Sequence, residues 1–378
     1  MGRLQLRHIS RKKLSIIGLA LSTALALPAV ASAETGNVTL YGVANLSYEL
    51  VSLGTGTAGT PAVTGPSNVS KVSSNASRLG LKGTEDLGDG LSAVWQIESL
   101  IAMDNAGGTF ATRNTYAGLD SKQLGRLLLG RYDTPYNTTT RRLDWFIDTI
   151  ADSQPLMGGT TGISATLGFA GRQTDGVLYV SPLVHGFTGT VQYANTSEGN
   201  TSAAQPKSSL LSMAGWYSEG PTYAALAHEI HYLNSLTGGR ENAWKLTLGY
   251  TPEQFGIGFA VETTHDNLAA QGANQWGHRA WYLSGKYMLG KDAVKAAYTN
   301  VGQLGATANT GARQYTLGYD HNLSKRTTLY GLYTRLQNQS AINYGLSSAS
   351  SGGGASTIVA PASGASPSAW SFGIKHIF

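Results

Sequence analysis

The last nine residues constrain this chain more than any other feature. Trp370-Ser371-Phe372-Gly373-Ile374-Lys375-His376-Ile377-Phe378 puts large apolar or aromatic groups at 370, 372, 374 and 378, with Ser371, Gly373 and Lys375 between them. Successive side chains of a strand point to opposite faces, so a strand here has one greasy face and one polar face. Chain ends in water usually fray, which gives a soluble domain little reason to finish on an aromatic strand face. A strand with lipid on one side and water on the other satisfies both faces.

The opposite end is consistent with export to such a place. Residues 1–13 carry Arg3, Arg7, Arg11, Lys12 and Lys13 and no acid, followed by the apolar run Leu14 to Leu27 and by Ala31-Ser32-Ala33. This reads as a secretory signal peptide with a small-residue cleavage site, because the apolar run is too short to span a bilayer. The expected division is a signal peptide over 1–33 and a single barrel over 34–378. Of the 27 Lys and Arg, five lie in that signal, leaving 22 against 22 Asp and Glu, so the formal charge of +5 belongs to the export segment. Nucleic-acid binding loses its electrostatic basis, and no nucleic-acid partner is expected.

Zero cysteines rule out disulfides as the source of stability in an exported protein. Beyond the signal no apolar run approaches the ~20 residues of a spanning helix. Only helices and closed barrels satisfy every backbone group in lipid, so a membrane location implies an all-β fold, a transmembrane antiparallel β-barrel. The 48 Gly and 19 Tyr, with 13% charged residues, suit many strands, many turns and interfacial aromatic belts. An exported β-rich adhesin or binding protein would share this composition and is the alternative reading.

Alternation and loop lengths separate the two. From Val38 to Leu50 the even positions are apolar, small or aromatic, while Thr39, Asn45, Ser47 and Glu49 fall on the odd face; in Arg78-Leu79-Gly80-Leu81-Lys82 the charges share one face and the leucines the other. Tight connections at 86–90, 218–222, 251–256, 289–292 and 322–326 interleave with long Gly/Ser/Thr/Ala-rich ones at 53–74, 197–206 and 347–367. Short turns at one end and long loops at the other mark a barrel rather than a sandwich. Segments near 37–50, 76–86, 91–102, 111–119, 125–132, 172–181, 187–196, 209–218, 222–233, 242–251, 256–265, 279–289, 293–302, 312–321, 327–336 and 368–378 make 16 strands, an even number that leaves an aqueous lumen.

Several stretches then resemble the general trimeric porins of Gram-negative bacteria, in their betaproteobacterial and neisserial branch. They are 37–48, the run from Ser77 to Gly88, Leu129-Gly130-Arg131-Tyr132-Asp133-Thr134-Pro135, 143–152, 171–182 and the terminal strand. The resemblance implies a homotrimer in the outer membrane, in contact with outer-membrane lipids and lipopolysaccharide, and a terminal Phe378 read as an assembly signal by the barrel assembly machinery.

One stretch breaks the strand rhythm. From Asp133 to Ala170, roughly forty residues carry no strand pattern, and loops of that length inside a compact domain are usually functional. The resemblance implies that this loop folds into the lumen and constricts it. Asp144, Asp148 and Asp152 would then lie on the loop side and Arg78, Lys82, Arg113 and Arg172 on the wall facing it, setting a transverse field across a narrow passage. Arg141 and Arg142 join the tally, although an irregular segment gives their side chains no parity, and the direction of Arg131 is open for the same reason. Six positive charges against three negative predict mild anion preference for small ions and hydrophilic solutes.

Catalytic, metal and cofactor motifs lack their context. His228-Glu229-Ile230-His231 places its histidines three apart and, on a strand, on opposite faces, which disfavours a shared metal. Gly54-Thr55-Gly56-Thr57-Ala58-Gly59 formally matches a dinucleotide fingerprint but runs into Thr60-Pro61 instead of a helix. The expectation is a passive channel with no enzyme activity and no cofactor. An outer-membrane lipase with a spatially assembled triad is disfavoured because it has no use for a constricted lumen.

Overall fold

A computed structural model describes residues 37–57, 68–105, 110–158, 168–195, 208–233, 239–305, 307–346 and 361–378. The signal peptide and its cleavage site lie outside the described residues. Among the described residues the strands are β1 (Val38–Ser52), β2 (Asn68–Ser74), β3 (Arg78–Gly88), β4 (Leu91–Leu100), β5 (Thr115–Ser121), β6 (Gly125–Asp133), β7 (Arg172–Val180), β8 (Phe187–Asn195), β9 (Ser209–Glu219), β10 (Thr222–Leu233), β11 (Gly239–Tyr250), β12 (Phe255–Asp266), β13 (Arg279–Leu289), β14 (Asp292–Val301), β15 (Ala312–Asn322), β16 (Thr327–Asn338) and β17 (Ser368–Ile377). A seven-residue helix, α1 (Pro135–Arg141), follows β6.

β2 and β3 are two halves of one crossing, since both pair antiparallel with β1. The chain therefore makes sixteen crossings, each paired with its sequence neighbours, and β1 closes the ring on β17. Closure leaves no sheet edge to be satisfied by lipid. Gly42 and Phe378 complete the seam by exchanging backbone hydrogen bonds at 2.9 and 3.1 Å. A Cβ on Gly42 would sit 2.4 Å from the Phe378 ring, so the terminal aromatic lies flat over that glycine on the outer wall.

The break between β2 and β3 has a local cause. Ala76 takes a φ of +55°, and the Ser77 hydroxyl replaces the missing ladder, accepting from the Asn45 N–H at 2.9 Å and donating to the Asn45 carbonyl at 3.0 Å. Such bulges re-aim the neighbouring side chains; here Arg78 is turned inward, its guanidinium donating to the Ala76 carbonyl at 3.1 Å. Two boundaries differ from the sequence expectation by more than three residues. The second crossing begins at Asn68 rather than 76, and the strand expected over 111–119 begins only at Thr115. Arg113 therefore stands in the connection before β5, held by its own N–H to the Glu98 carbonyl at 2.9 Å.

The two faces of the wall divide as the alternation requires. On β1, Asn45, Ser47 and Glu49 are buried inside while Leu40, Tyr48 and Leu50 are exposed outside. The outer face carries aliphatic residues such as Leu226, Leu248, Leu283 and Leu317, with aromatic rows at both levels. Trp281, Tyr298 and Tyr315 form one row at ring spacings of 4.8 and 4.9 Å, and Tyr250 and Phe255 belong to the other, beside a short turn. That is the banding of a wall in a bilayer. The chain termini of the barrel and the short turns share one end, which in such barrels is the periplasmic end.

Candidate functional site: the folded-in loop and its wall

The long connection after β6 enters the lumen and runs along the inside of the wall. It starts with α1, for which the sequence provides a side-chain cap and a stiff first residue: the Thr134 hydroxyl accepts the Asn137 N–H at 3.2 Å, and Pro135 occupies the first turn. Tyr136 anchors the helix, its N–H reaching Ser212 on β9 at 3.1 Å and its hydroxyl donating to Glu262 on β12 at 2.9 Å. Lys245 sits 4.0 Å above the Tyr136 ring.

Beyond α1 the loop presses on a row of inward-facing glycines. A Cβ on Gly249 or Gly258 would lie 2.6–2.7 Å from Leu143, one on Gly256 2.6 Å from Trp145, and one on Gly318 2.6 Å from Phe146. These glycines weaken the strands they occupy, and close approach of another chain segment is the usual reason to keep them. Ser284 donates to the Leu143 carbonyl at 2.7 Å and Lys295 to the Trp145 carbonyl at 3.1 Å. Phe146, Ile150, Leu156 and Met157 then join an apolar cluster inside the barrel with Val51, Leu53, Ile342 and Tyr344. The tip crosses to β1, where the Asn45 side chain donates to the Asp148 carbonyl at 2.9 Å.

The three loop aspartates do different work. Asp144 is a clasp: its carboxylate accepts from the Phe146 N–H and the Tyr282 hydroxyl, both at 2.8 Å, and from the Ser153 N–H and hydroxyl at 3.1 and 2.7 Å. Asp148 receives Arg78 from the wall at 3.1 Å and Arg141 from α1 at 3.0 Å. Burial alone would push its carboxyl up, but the two guanidinium groups outweigh burial and hold it below the usual carboxylate range. Asp152 lies 3.6 Å from Arg141 and accepts from the Asp148 and Gln154 N–H groups at 3.2 and 3.0 Å. Burial and the neighbouring Asp144 and Asp148 carboxylates push it up to about 7 despite Arg141.

The wall cations are also engaged, and their partners are not those expected from sequence. Arg113 meets Glu98 at 2.5 Å, and Glu98 accepts the Tyr41 hydroxyl at 2.9 Å. Arg172 meets Asp133 at 2.8 Å and donates to Asn114 at 2.8 Å. Of the four wall cations only Arg78 touches a loop aspartate, and it does so in direct contact instead of across a gap. The geometry thus differs from two open rows facing each other: Asp144 and Asp152 are almost fully buried within the loop, and Asp148 ties the tip to the wall. Lys82 is exposed and lies 5.4 Å from the Tyr41 ring. Arg142, also exposed, stacks 4.3 Å over Tyr223 and donates to Ser218 at 3.2 Å. Arg131 belongs to a bulged stretch of β6, where the register shifts between Gly130 and Tyr132.

The two histidines of the His-Glu-Ile-His run separate as alternation requires. His228 stacks on the outward Trp244 at 4.0 Å, whereas His231 is fully buried between Glu229 at 2.9 Å and Glu241 at 3.2 Å. Among the described residues no group of His, Asp or Glu is arranged to hold a metal ion.

A closed sixteen-crossing barrel with a loop folded along its inner wall is the setting in which the comparisons with known proteins are decisive. A family model described as Gram-negative porin matches residues 19–341. The chain belongs to the Gram-negative porin family. Its relatives include outer membrane porin protein 32 of Delftia acidovorans, 30% identical over 365 residues, covering 88% of this chain and 92% of that protein. They also include the major outer membrane protein P.IB of Neisseria gonorrhoeae, 26% identical over 324 residues, 81% of this chain and 90% of that one. Among solved structures, an anion-selective porin from Comamonas acidovorans superposes with a TM-score of 0.74 at 24% identity, over 90% of this chain and 99% of that one. This porin is thus a passive channel of the outer membrane.

Sequence reasoning missed several residues that the porin's loop depends on. Glu98 and Asp133 compensate Arg113 and Arg172, Tyr282 and Ser284 hold the loop, and Lys295 bridges it to Asp320 at 2.7 Å. Inward parity on β4, β13 and β14 would have put Glu98, Tyr282, Ser284 and Lys295 on the water side. Their roles required knowing where the loop passes.

Proposed function

We propose that this porin conducts small hydrophilic solutes and ions with a mild preference for anions, and that Arg78, Lys82, Arg113 and Arg172, with Asp144, Asp148 and Asp152 of the loop, shape its constriction. One observation carries the reading: the acids around the loop are compensated, while several inward cations are not. Asp148, Asp152, Glu98, Asp133 and Asp320 each lie within 4 Å of a basic side chain, and Asp144 is saturated by donors. Lys82, Lys286, Lys375 and Arg142 have no carboxylate within 4 Å among the described residues; Lys286 is placed only over the Trp145 ring at 4.4 Å. A wet passage with a positive surplus raises the local concentration of anions, and the effect is screened over roughly 8–10 Å at physiological salt. The relative from Comamonas acidovorans described as anion-selective supports the same sign.

The reading extends to assembly. A homotrimer is supported by the small outward Ala44 on β1 beside the closing seam, where Gly42 is covered by the Phe378 ring, and an assembly role for Phe378 by its exposed ring at that seam. The signal peptide over 1–33 belongs to the same proposal.

The test is the reversal potential in a KCl gradient across planar bilayers. Replacing Arg78, Arg113 and Arg172 together by Ser frees Glu98 and Asp133 from their cations, so the potential should move toward cation preference, with the shift shrinking as salt rises. Unchanged selectivity in the triple variant would refute the assignment.

A further inference from the structure

The outer wall carries a groove that the channel does not use. It lies near the short-turn end of β8–β11 and holds about 600 Å³, inside the roughly 300–1,000 Å³ of small-ligand clefts. Its floor is made by two absent side chains. Gly189 on β8 pairs with Gly215 on β9, and a Cβ on either would meet nothing nearer than 3.9 Å. Phe187 and Tyr217, ring centroids 5.0 Å apart, wall one end, and the paired Leu226 and Leu246 wall the other. No basic side chain lines it.

Beyond the lining, at the turn end, a single carboxylate stands next to Tyr217. Glu219 follows Gly215 and Tyr217 on the same outward face, and its carboxylate accepts the Tyr217 hydroxyl at 2.8 Å. It has no basic partner within 4 Å among the described residues. At the level of lipid head groups such a carboxylate is open to water and to a cationic head group.

We propose that this groove seats one acyl chain of a periplasmic-leaflet phospholipid whose head group carries an ammonium, an ethanolamine-type head, held by Glu219 and Tyr217. The apolar slot selects hydrocarbon, because Phe187, Tyr217, Leu226 and Leu246 line it and no basic side chain does. The carboxylate selects the amine, since an anionic glycerol head group would meet Glu219 with the same sign. The position selects the leaflet: the slot opens toward the short turns, the periplasmic end.

The experiment is native mass spectrometry of the intact detergent-solubilised porin titrated with dipalmitoyl phosphatidylethanolamine or dipalmitoyl phosphatidylglycerol. The wild type should retain about one ethanolamine lipid per protomer, with about a 2- to 5-fold preference over the glycerol lipid, the range of an exposed ion pair. Glu219→Gln should bring that ratio near one while retaining the lipid. Gly215→Leu should abolish retention with heat-modifiability and conductance unchanged; should that variant fail to fold, Gly189→Val tests the same floor. Equal retention of the two lipids by the wild type would overturn the proposal, as would unchanged adducts in a folded floor variant. A floor variant that loses its oligomeric state would also overturn it, because the groove would then be filled by a second copy of the chain.

Discussion

Replacing Gly258 by Ala should narrow the channel. A Cβ at that position would lie 2.7 Å from the Leu143 Cβ, 2.9 Å from the Ser284 hydroxyl and 3.0 Å from the Leu143 carbonyl oxygen. Carbon atoms pack at about 3.5–4.0 Å, so the loop at Leu143 must retreat by about 1 Å. Rotating the Leu143 side chain does not relieve the clash, because the obstructing atoms are its Cβ and its backbone oxygen. Nor can the wall give, since β11, β12 and β13 are tied to one another by continuous ladders. The loop is therefore the partner that moves, and the only space open to it is the lumen. Overpacking of this kind costs about 1–3 kcal/mol, and the Ser284 bond to the Leu143 carbonyl adds about 1 kcal/mol when it breaks.

Single-channel conductance and the swelling of liposomes in sugars of increasing size would read the displacement. Gly258→Ala should lower the conductance and reduce the size cutoff. Leu143→Gly in the same chain, which removes the obstructing Cβ, should restore both in part, a coupling expected of residues in direct contact. Gly285→Ala is the control, because its Cβ would meet nothing nearer than the Gly256 oxygen at 3.9 Å. Conductance and cutoff unchanged in a folded Gly258→Ala variant would show that the loop is not seated on this track.

Two further outcomes follow from the seam and the loop. Deleting Phe378 removes the ring over Gly42 and both terminal hydrogen bonds of the closing pair; the folded amount in the outer membrane, measured by heat-modifiability under low expression, should fall while single-channel conductance of the inserted fraction stays the same. Asp152, raised to about 7 mainly by burial, binds its proton more tightly in the folded loop than an ordinary carboxyl near 4 does, so its share of stability is lost as pH rises through that window. Thermal unfolding between pH 4.5 and 7.5 should show that decline, with Arg141, Asp144 and Asp148 as the facing charges, and Asp152→Asn should flatten it; an identical profile in the variant would refute the assignment.

Two physical codes of unequal visibility run through this chain. The sheet is written in a period of two, and a strand with lipid outside and water inside leaves that period in nearly every residue. Arg78 and Lys82 could therefore be assigned to the water side from parity alone. The segment Asn68–Ser74 escaped because its composition is that of a loop and because Ala76, at positive φ, interrupts the alternation before Arg78 restores it. Arg113 is named from sequence but placed on a strand, whereas it is anchored to Glu98 ahead of the first paired residue of β5. The aspartates lie on irregular backbone, Asp148 at a φ of +58°, where no period fixes direction. Their partners, Tyr282 and Arg78, are brought to them by barrel closure and not by sequence proximity. The path of the loop is written in what is missing: Gly249, Gly256, Gly258 and Gly318 are ordinary weak points in three inward strand faces until Leu143, Trp145 and Phe146 are laid against them. A glycine in a strand says that something comes close, and only the folded chain says what.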